Sequence, residues 1–102
     1  MKDTVLSYVS TIEKQYQIAP SVLKLLPKIA LCESDGSTTA THYNKNGTID
    51  YGYFQINSVH KGAMEEMGLD YYNATDSIVY ALHLASTEGV DPWYSSKKCW
   101  DQ

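Results

Sequence analysis

A chain of 102 residues is long enough for one small domain, whose hydrophobic core is marginal in size. The net charge of −4 and the pI near 5.1 argue against nucleic-acid recognition through a basic surface. No apolar run approaches the roughly 18 residues of a membrane span, and the first residues do not have the pattern of a signal peptide. We therefore expect a single domain over 1–102 with no membrane span.

The first third of the chain is predicted to be helical. Asp3 is a suitable N-cap for a first helix, which runs to Tyr16 with an apolar stripe. Pro20 suits the first turn of a second helix. Pro27 removes a backbone hydrogen bond from that second helix, so we expect a kink or break at 26–27 and a short terminal helix after it. The apolar face of the second helix consists of Val22, Leu23, Leu26, Ile29 and Ala30.

Glu33 occupies the next position on this apolar face, where a leucine would be expected. Loss of hydration there disfavours the charged carboxylate, so the pKa of Glu33 is expected to rise. An acid that is still protonated near neutral pH is what general acid catalysis requires. The alternative is that the helix has simply reached solvent, because Ser34-Asp35-Gly36 follows at once.

A β-hairpin is predicted next. Asn46-Gly47 is typical of a two-residue type I′ turn, in which both central residues need a positive φ. The flanking residues 41–44 and 48–51 are predicted to form short antiparallel strands. Asp50 then lies on the second strand and points away from the face that takes Ile49. A carboxyl group at a helix end that faces a carboxylate on a hairpin is the arrangement of a two-carboxylate glycosidase.

The remainder of the chain is predicted to be helical again. Ser58 is a suitable cap for a short helix over 60–67. A longer helix is expected from about residue 75 until Gly89, with Ile78, Val79, Leu82 and Ala85 facing inward. A turn at 91–93 and one or two final helical turns complete the chain.

The stretch over 33–58 resembles the catalytic core of the animal c-type lysozymes. The residues that carry the resemblance are Glu33-Ser34, Asn44, Gly47, Asp50-Tyr51-Gly52 and Phe54-Gln55-Ile56-Asn57-Ser58. The spacing from Glu33 to Asp50 is that of the family, with no gap. Phage lysins and soluble lytic transglycosylases belong to the wider superfamily, and the shortness of this chain is more similar to theirs. The resemblance implies an α+β, mostly helical, lysozyme-like fold with a small hairpin lobe.

The resemblance also implies an activity. It implies cleavage of peptidoglycan between N-acetylmuramic acid and N-acetylglucosamine, with Glu33 as general acid and Asp50 as second carboxylate of a retaining hydrolase. No metal or cofactor is implied. One alternative is a lytic transglycosylase, in which Glu33 acts without Asp50 and the muramic acid's own hydroxyl replaces water. Another is a non-catalytic glycan-binding or structural module of the same fold.

Four further residues are implied to bind substrate. Asn44 and Asn57 match family positions that orient the aspartate carboxylate and contact the sugar's N-acetyl group, and Gln55 lines the same floor. Trp93 is the best match to the tryptophan against which the family's acid packs. The chain departs from the family pattern at His60-Lys61, where paired tryptophans are common.

The expected place of action is the bacterial cell wall, whether extracellular, periplasmic or virion-associated. Peptidoglycan is itself largely anionic, so a chain of charge −4 lacks long-range attraction to it. This favours a module that something else holds at the wall. Either a larger parent chain or a virion assembly could hold the module there.

The two cysteines are interpreted as a pair. The c-type family has a bond from this helix to a C-terminal cysteine, which implies a Cys32–Cys99 disulfide in an oxidising compartment. Two reduced, buried thiols are the alternative. A catalytic Cys32 thiolate is disfavoured by its place at a helix C-terminus. The three histidines, His42, His60 and His83, form no metal-ligand pattern, although the first two flank the hairpin.

Overall fold

The computed structural model describes residues 17–101, so the predicted helix that Asp3 would cap lies outside the described residues. Within this range the helices are α1 (Pro20–Leu23), α2 (Leu26–Ser34), α3 (Lys61–Glu66), α4 (Ala74–Glu88) and α5 (Lys97–Trp100). The strands β1 (Thr41–Tyr43), β2 (Ile49–Tyr51) and β3 (Ile56–Asn57) form one antiparallel sheet in that order. The prediction of an α+β, mostly helical fold with a small β lobe is confirmed.

The predicted break before the acid-bearing helix is present but lies earlier than expected. Pro20 opens α1, which ends at Leu23, and the chain turns at 24–25. Pro27 therefore falls in the first turn of α2, where its missing N–H has no helical partner to lose. At its other end, α2 is closed by Asp35 with a left-handed φ of 54°, and Glu33 thus lies in the last turn.

The hairpin forms with a different turn from the predicted one. The Asn44 N–H bonds the Thr48 carbonyl at 2.9 Å, so the connection has three residues rather than two. Gly47 has a φ of 88°, whereas Asn46 is not among the residues with positive φ. The type I′ prediction is therefore wrong. The side chain of Asn46 instead accepts hydrogen bonds from the N–H and the hydroxyl of Thr48, at 3.0 and 2.6 Å, which holds a turn of the three-residue class.

A third strand and a different helix cap follow the hairpin. β3, which the sequence did not predict, pairs with β2 and places Asn57 opposite Asp50. Asn57 caps a 3₁₀ turn over Ser58–His60 by accepting the Val59 N–H at 3.0 Å. The prediction of Ser58 as the cap is wrong, because the Ser58 hydroxyl oxygen accepts the Ile49 N–H at 3.0 Å and is used by the sheet.

Helix α4 packs against the sheet, and the hydroxyl of its Ser77 lies 3.3 Å from the Tyr51 carbonyl oxygen of β2. It is N-capped by Asn73, and most of one face is buried. The end of β2 approaches it so closely that a Cβ at Gly52 would lie 2.7 Å from the hydroxyl oxygen of Ser77, which is fully buried. The largest fully buried side chains are Tyr71, Phe54, Leu26, Ile29, Met64 and Leu82. In residues 17–101, no helix is sufficiently long and apolar to cross a bilayer.

A disulfide fastens the end of the chain to the acid-bearing helix. Cys32 on α2 is bonded to Cys99 on α5, with their Cα atoms 6.0 Å apart. A sulfur in this bond cannot act as a thiolate nucleophile. The bond holds α5, and the 3₁₀ segment Asp91–Ser96 that leads into it, beside α2.

Candidate active site

A cleft of about 230 Å³ lies between the sheet and the helices. The predicted catalytic and substrate-binding residues all line it except Asn44, and these are Glu33, Asp50, Gln55, Asn57 and Trp93. Its other walls are Ile56, His60, Leu84, Glu88, Pro92 and Ser95. The fold therefore brings together side chains that lie far apart in the sequence, such as Glu33 and Trp93.

Glu33 is half-buried at the end of α2 and enters the cleft from the helical side. Burial is the main cause that raises the pKa of Glu33 above its ordinary value of 4.5. A hydrogen bond donated by the Ser96 hydroxyl to Oε2 acts in the opposite sense, and the negative charge of Asp50 raises the pKa further. The net effect favours the protonated acid, as the apolar position of Glu33 in the sequence predicted.

Asp50 enters the cleft from the sheet, and each of its carboxylate oxygens accepts a hydrogen bond from an amide. The Asn57 Nδ2 donates to Oδ1 at 2.9 Å, and the Asn44 Nδ2 donates to Oδ2 at 3.1 Å. Both amides also donate to the Thr48 hydroxyl oxygen at 3.1 Å. Two amide dipoles directed at one carboxylate stabilise its negative charge and fix its orientation.

Thr48 is a part of this site that sequence reasoning missed. Its hydroxyl oxygen accepts from both amides that hold Asp50, and it bonds to Asn46 Oδ1 at 2.6 Å. Thr48 lies two residues before Asp50, so both side chains lie on the same side of the hairpin. That spacing is the signal that could have identified it.

Gln55 and Trp93 border the cleft, but their N–H groups bind the protein backbone. The Gln55 Nε2 donates to the carbonyls of Ala40 and Gly52, both at 3.0 Å, and so secures the turn between β2 and β3. The Trp93 indole N–H donates to the Phe54 carbonyl at 2.8 Å, and the residue is only 2% exposed. Trp93 is thus a core residue whose edge forms one wall of the cleft.

Two serines beside Glu33 make contacts that the sequence did not predict. Ser34, which is buried, has its hydroxyl 2.8 Å from the Tyr53 carbonyl and thereby ties the end of α2 to the loop after β2. Ser96 contacts Glu33 directly and accepts the Trp100 indole N–H at 3.0 Å. No local pattern marks Ser96, because its contact with Glu33 spans 63 positions of sequence.

The three histidines have different surroundings. His60 lines the cleft with its Nδ1 2.9 Å from the Tyr80 hydroxyl, whereas His42 is exposed on β1, opposite Asp50 in the strand register. His83, on α4, has its ring 5.8 Å from that of Tyr80. Over residues 17–101, no group of three or more His, Cys, Asp or Glu side chains is arranged to hold a metal ion.

A family model and two known proteins are similar to this chain. The chain is 42% identical over 55 residues to Protein IpgF of Shigella flexneri, an alignment that covers 54% of this chain and 34% of that protein. It is 37% identical over 76 residues to Lysozyme c-1 of Anopheles gambiae, covering 64% of this chain and 53% of that protein. The chain thus spans about a third of the first relative and about half of the second. Residues 15–94 match the family described as a lysozyme-like domain, and the chain therefore belongs to the lysozyme-like domain family.

Proposed function

We propose that this domain is a retaining muramidase that cleaves the β-1,4 bond between N-acetylmuramic acid and N-acetylglucosamine in peptidoglycan. Membership of the lysozyme-like family supports a glycosidase or transglycosylase that acts on the bacterial cell wall. The observation that carries the finer proposal is the contrast between two carboxyl groups in one cleft. Burial raises the pKa of Glu33, whereas Asp50 has an amide donor on each oxygen. In the proposal Glu33 is therefore the acid, and Asp50 is the second carboxylate, which its two amide donors hold in place.

In the first step, Glu33 donates its proton to the glycosidic oxygen as the bond from that oxygen to the anomeric carbon breaks. The N-acetylglucosamine side leaves with the proton as a free hydroxyl. Positive charge develops on the muramic acid ring, and the Asp50 carboxylate either stabilises it or bonds to the anomeric carbon. The amides of Asn44 and Asn57 hold Asp50 in place during this change.

In the second step, Glu33 is a carboxylate and acts as the base. It takes a proton from a water molecule while the water oxygen bonds to the anomeric carbon, and any bond to Asp50 breaks. Glu33 is then protonated again, and the product carries a free reducing muramic acid end. Neither step needs a metal or an organic cofactor.

The test is product analysis of purified peptidoglycan by mass spectrometry. Hydrolysis leaves reducing muramic acid ends, whereas a lytic transglycosylase leaves 1,6-anhydro ends that are lighter by one water. We expect reducing ends from the wild type. Cleavage activity should fall by about 10²–10⁴-fold in Glu33→Gln, which keeps the shape of the side chain but has no acidic proton to donate. Glu65→Gln, at an exposed position on α3, is the matched control and should cleave normally.

The same assay separates the alternatives. Asp50→Asn should reduce hydrolysis severely, because the carboxylate beneath the anomeric carbon is lost. Predominantly anhydro products together with an active Asp50→Asn variant would overturn the hydrolase and support a lytic transglycosylase. A folded wild-type protein that binds glycan strands without cleaving them would support a non-catalytic module.

The domain's own charge provides no attraction to the anionic wall. As part of the proposal, therefore, a larger parent chain or a virion assembly holds the domain at its substrate.

A further inference from the structure

Ser96 is the centre of a small hydrogen-bond network beside the proposed acid. Its hydroxyl donates to Glu33 Oε2, accepts the Trp100 indole N–H at 3.0 Å and lies 3.1 Å from the Trp93 carbonyl oxygen. A serine hydroxyl has one proton to donate and two lone pairs that accept. The Trp100 N–H, which also lies 3.3 Å from the Trp93 carbonyl oxygen, occupies one lone pair of Ser96. The single Ser96 proton can then go to either of two acceptors, Glu33 Oε2 or the Trp93 carbonyl, and the second lone pair can accept only from a donor.

This arrangement fits Glu33 in both of its protonation states. When Glu33 is a carboxylate, the Ser96 proton points to Oε2. When Glu33 is protonated, its own O–H can donate to the second lone pair of Ser96, whose proton then turns to the Trp93 carbonyl. The exchange needs only rotation of the Ser96 hydroxyl, so no heavy atom has to move.

The position of Ser96 is itself fixed from two directions. Trp100, which donates to it, is only 3% exposed and is therefore held by the core. Cys99, the neighbour of Trp100, is bonded to Cys32, the residue directly before Glu33. The hydroxyl and the carboxyl are thus attached to one cross-linked unit made of α2 and α5.

We propose that Ser96 is a positioning residue, which keeps the Glu33 carboxyl in one place while it gives up and then regains its proton. The inference rests on the proposed function, since only a group that acts first as acid and then as base needs to be held in both states. In this scheme Ser96 does not contact the substrate and acts only through Glu33.

Other charged groups around Glu33 determine what removal of the hydroxyl should do. Asp50 on β2, His60 after β3 and Glu88 on α4 line the same cleft as Glu33. The negative charge of Asp50 raises the pKa of Glu33, and the Ser96 hydrogen bond lowers it. A Ser96→Ala variant keeps the effect of the Asp50 charge and loses the Ser96 hydrogen bond, so its Glu33 should titrate at higher pH than in the wild type.

Titration of the Glu33 side-chain carboxyl by ¹³C NMR tests this without any need for catalysis. The resonance is assigned by its absence from Glu33→Gln. We expect a higher midpoint in Ser96→Ala and a midpoint near the wild-type value in Ser96→Thr, which keeps a hydroxyl. Ser86→Ala is the matched control, because the Ser86 hydroxyl bonds the His83 carbonyl at 2.6 Å on α4, and the midpoint should not change. An unchanged midpoint in a folded Ser96→Ala protein would overturn the inference.

Kinetics of the same variants distinguish positioning from mere support of the fold. Ser96→Ala should lower kcat about tenfold with little change in KM, and shift the alkaline limb of the pH profile upward. Ser96→Thr should restore both. A lower Tm with kcat and pH profile unchanged would refute positioning. A wild-type protein that does not cleave peptidoglycan refutes the proposed function and this inference together. If the wild type cleaves and depends on Glu33, but Ser96→Ala leaves kcat and the pH profile unchanged, only this inference is refuted.

Discussion

Opening the Cys32–Cys99 disulfide is expected to destabilise the domain strongly. The bond joins residues separated by 67 positions. In the chain-entropy model, closing a loop of that length restricts the unfolded chain by an amount worth about 4 kcal/mol. Small domains have a total free energy of unfolding of only about 5–15 kcal/mol. Since each kcal/mol moves the Tm of a domain of this size by about 4–8 °C, the Tm should fall by roughly 20 °C.

Thermal unfolding followed by circular dichroism, with and without a phosphine reductant, measures this change. A Cys32→Ala, Cys99→Ala double variant should melt near the reduced wild type and should not respond to the reductant. Thiol titration of denatured, unreduced wild type should find no free thiol. A decrease in Tm of less than about 5 °C on full reduction would refute the stabilisation assigned to the disulfide. Two titratable thiols in protein prepared under oxidising conditions would refute the bond itself.

Two further predictions concern the two carboxyl groups. Asn57→Ala removes a donor to Asp50 and the side chain that accepts the Val59 N–H, so activity should fall about tenfold or more and the free energy of unfolding by about 1 kcal/mol. The control is Asn73→Ala, which removes the N-cap of α4, where the side chain accepts the Asp76 N–H at 2.9 Å. This control should lose similar stability but keep its activity. The second prediction concerns Glu33, whose pKa is higher in the folded than in the unfolded chain. Between these two pKa values the folded state binds more protons than the unfolded state. The free energy of unfolding should therefore fall as the pH rises through that window. Glu33→Gln should flatten this slope in urea unfolding measured across pH, and an equal slope in both proteins would contradict the burial argument.

The parts of the site that could be predicted are those with a local signal. Glu33 interrupts an apolar helix face, and Asp50 sits at a fixed distance from a Gly-containing turn, so both are visible within a few residues of sequence. Pro27 predicted a break in the helix. The break lies before Leu26 instead, because proline is tolerated in the first turn of the helix that follows. Ser96 carries no such signal. It reaches Glu33 only after α5 packs against α2. The predicted bond from Cys99 to Cys32 indicated that packing, but no local pattern distinguished Ser96 from its neighbours.

The hairpin turn shows how a local prediction can conflict with the site it belongs to. A two-residue turn at Asn46-Gly47 would pair Tyr43 with Asp50 and place Asn44 opposite Ile49, on the other face of the sheet. The three-residue loop instead pairs Tyr43 with Ile49 and His42 with Asp50. Since a shift of one residue moves every side chain of a strand to the opposite face, only this register lets the Asn44 amide reach Asp50, at 3.1 Å. The predicted type I′ turn and the predicted role of Asn44 therefore exclude each other, and the longer loop is the one compatible with a held carboxylate.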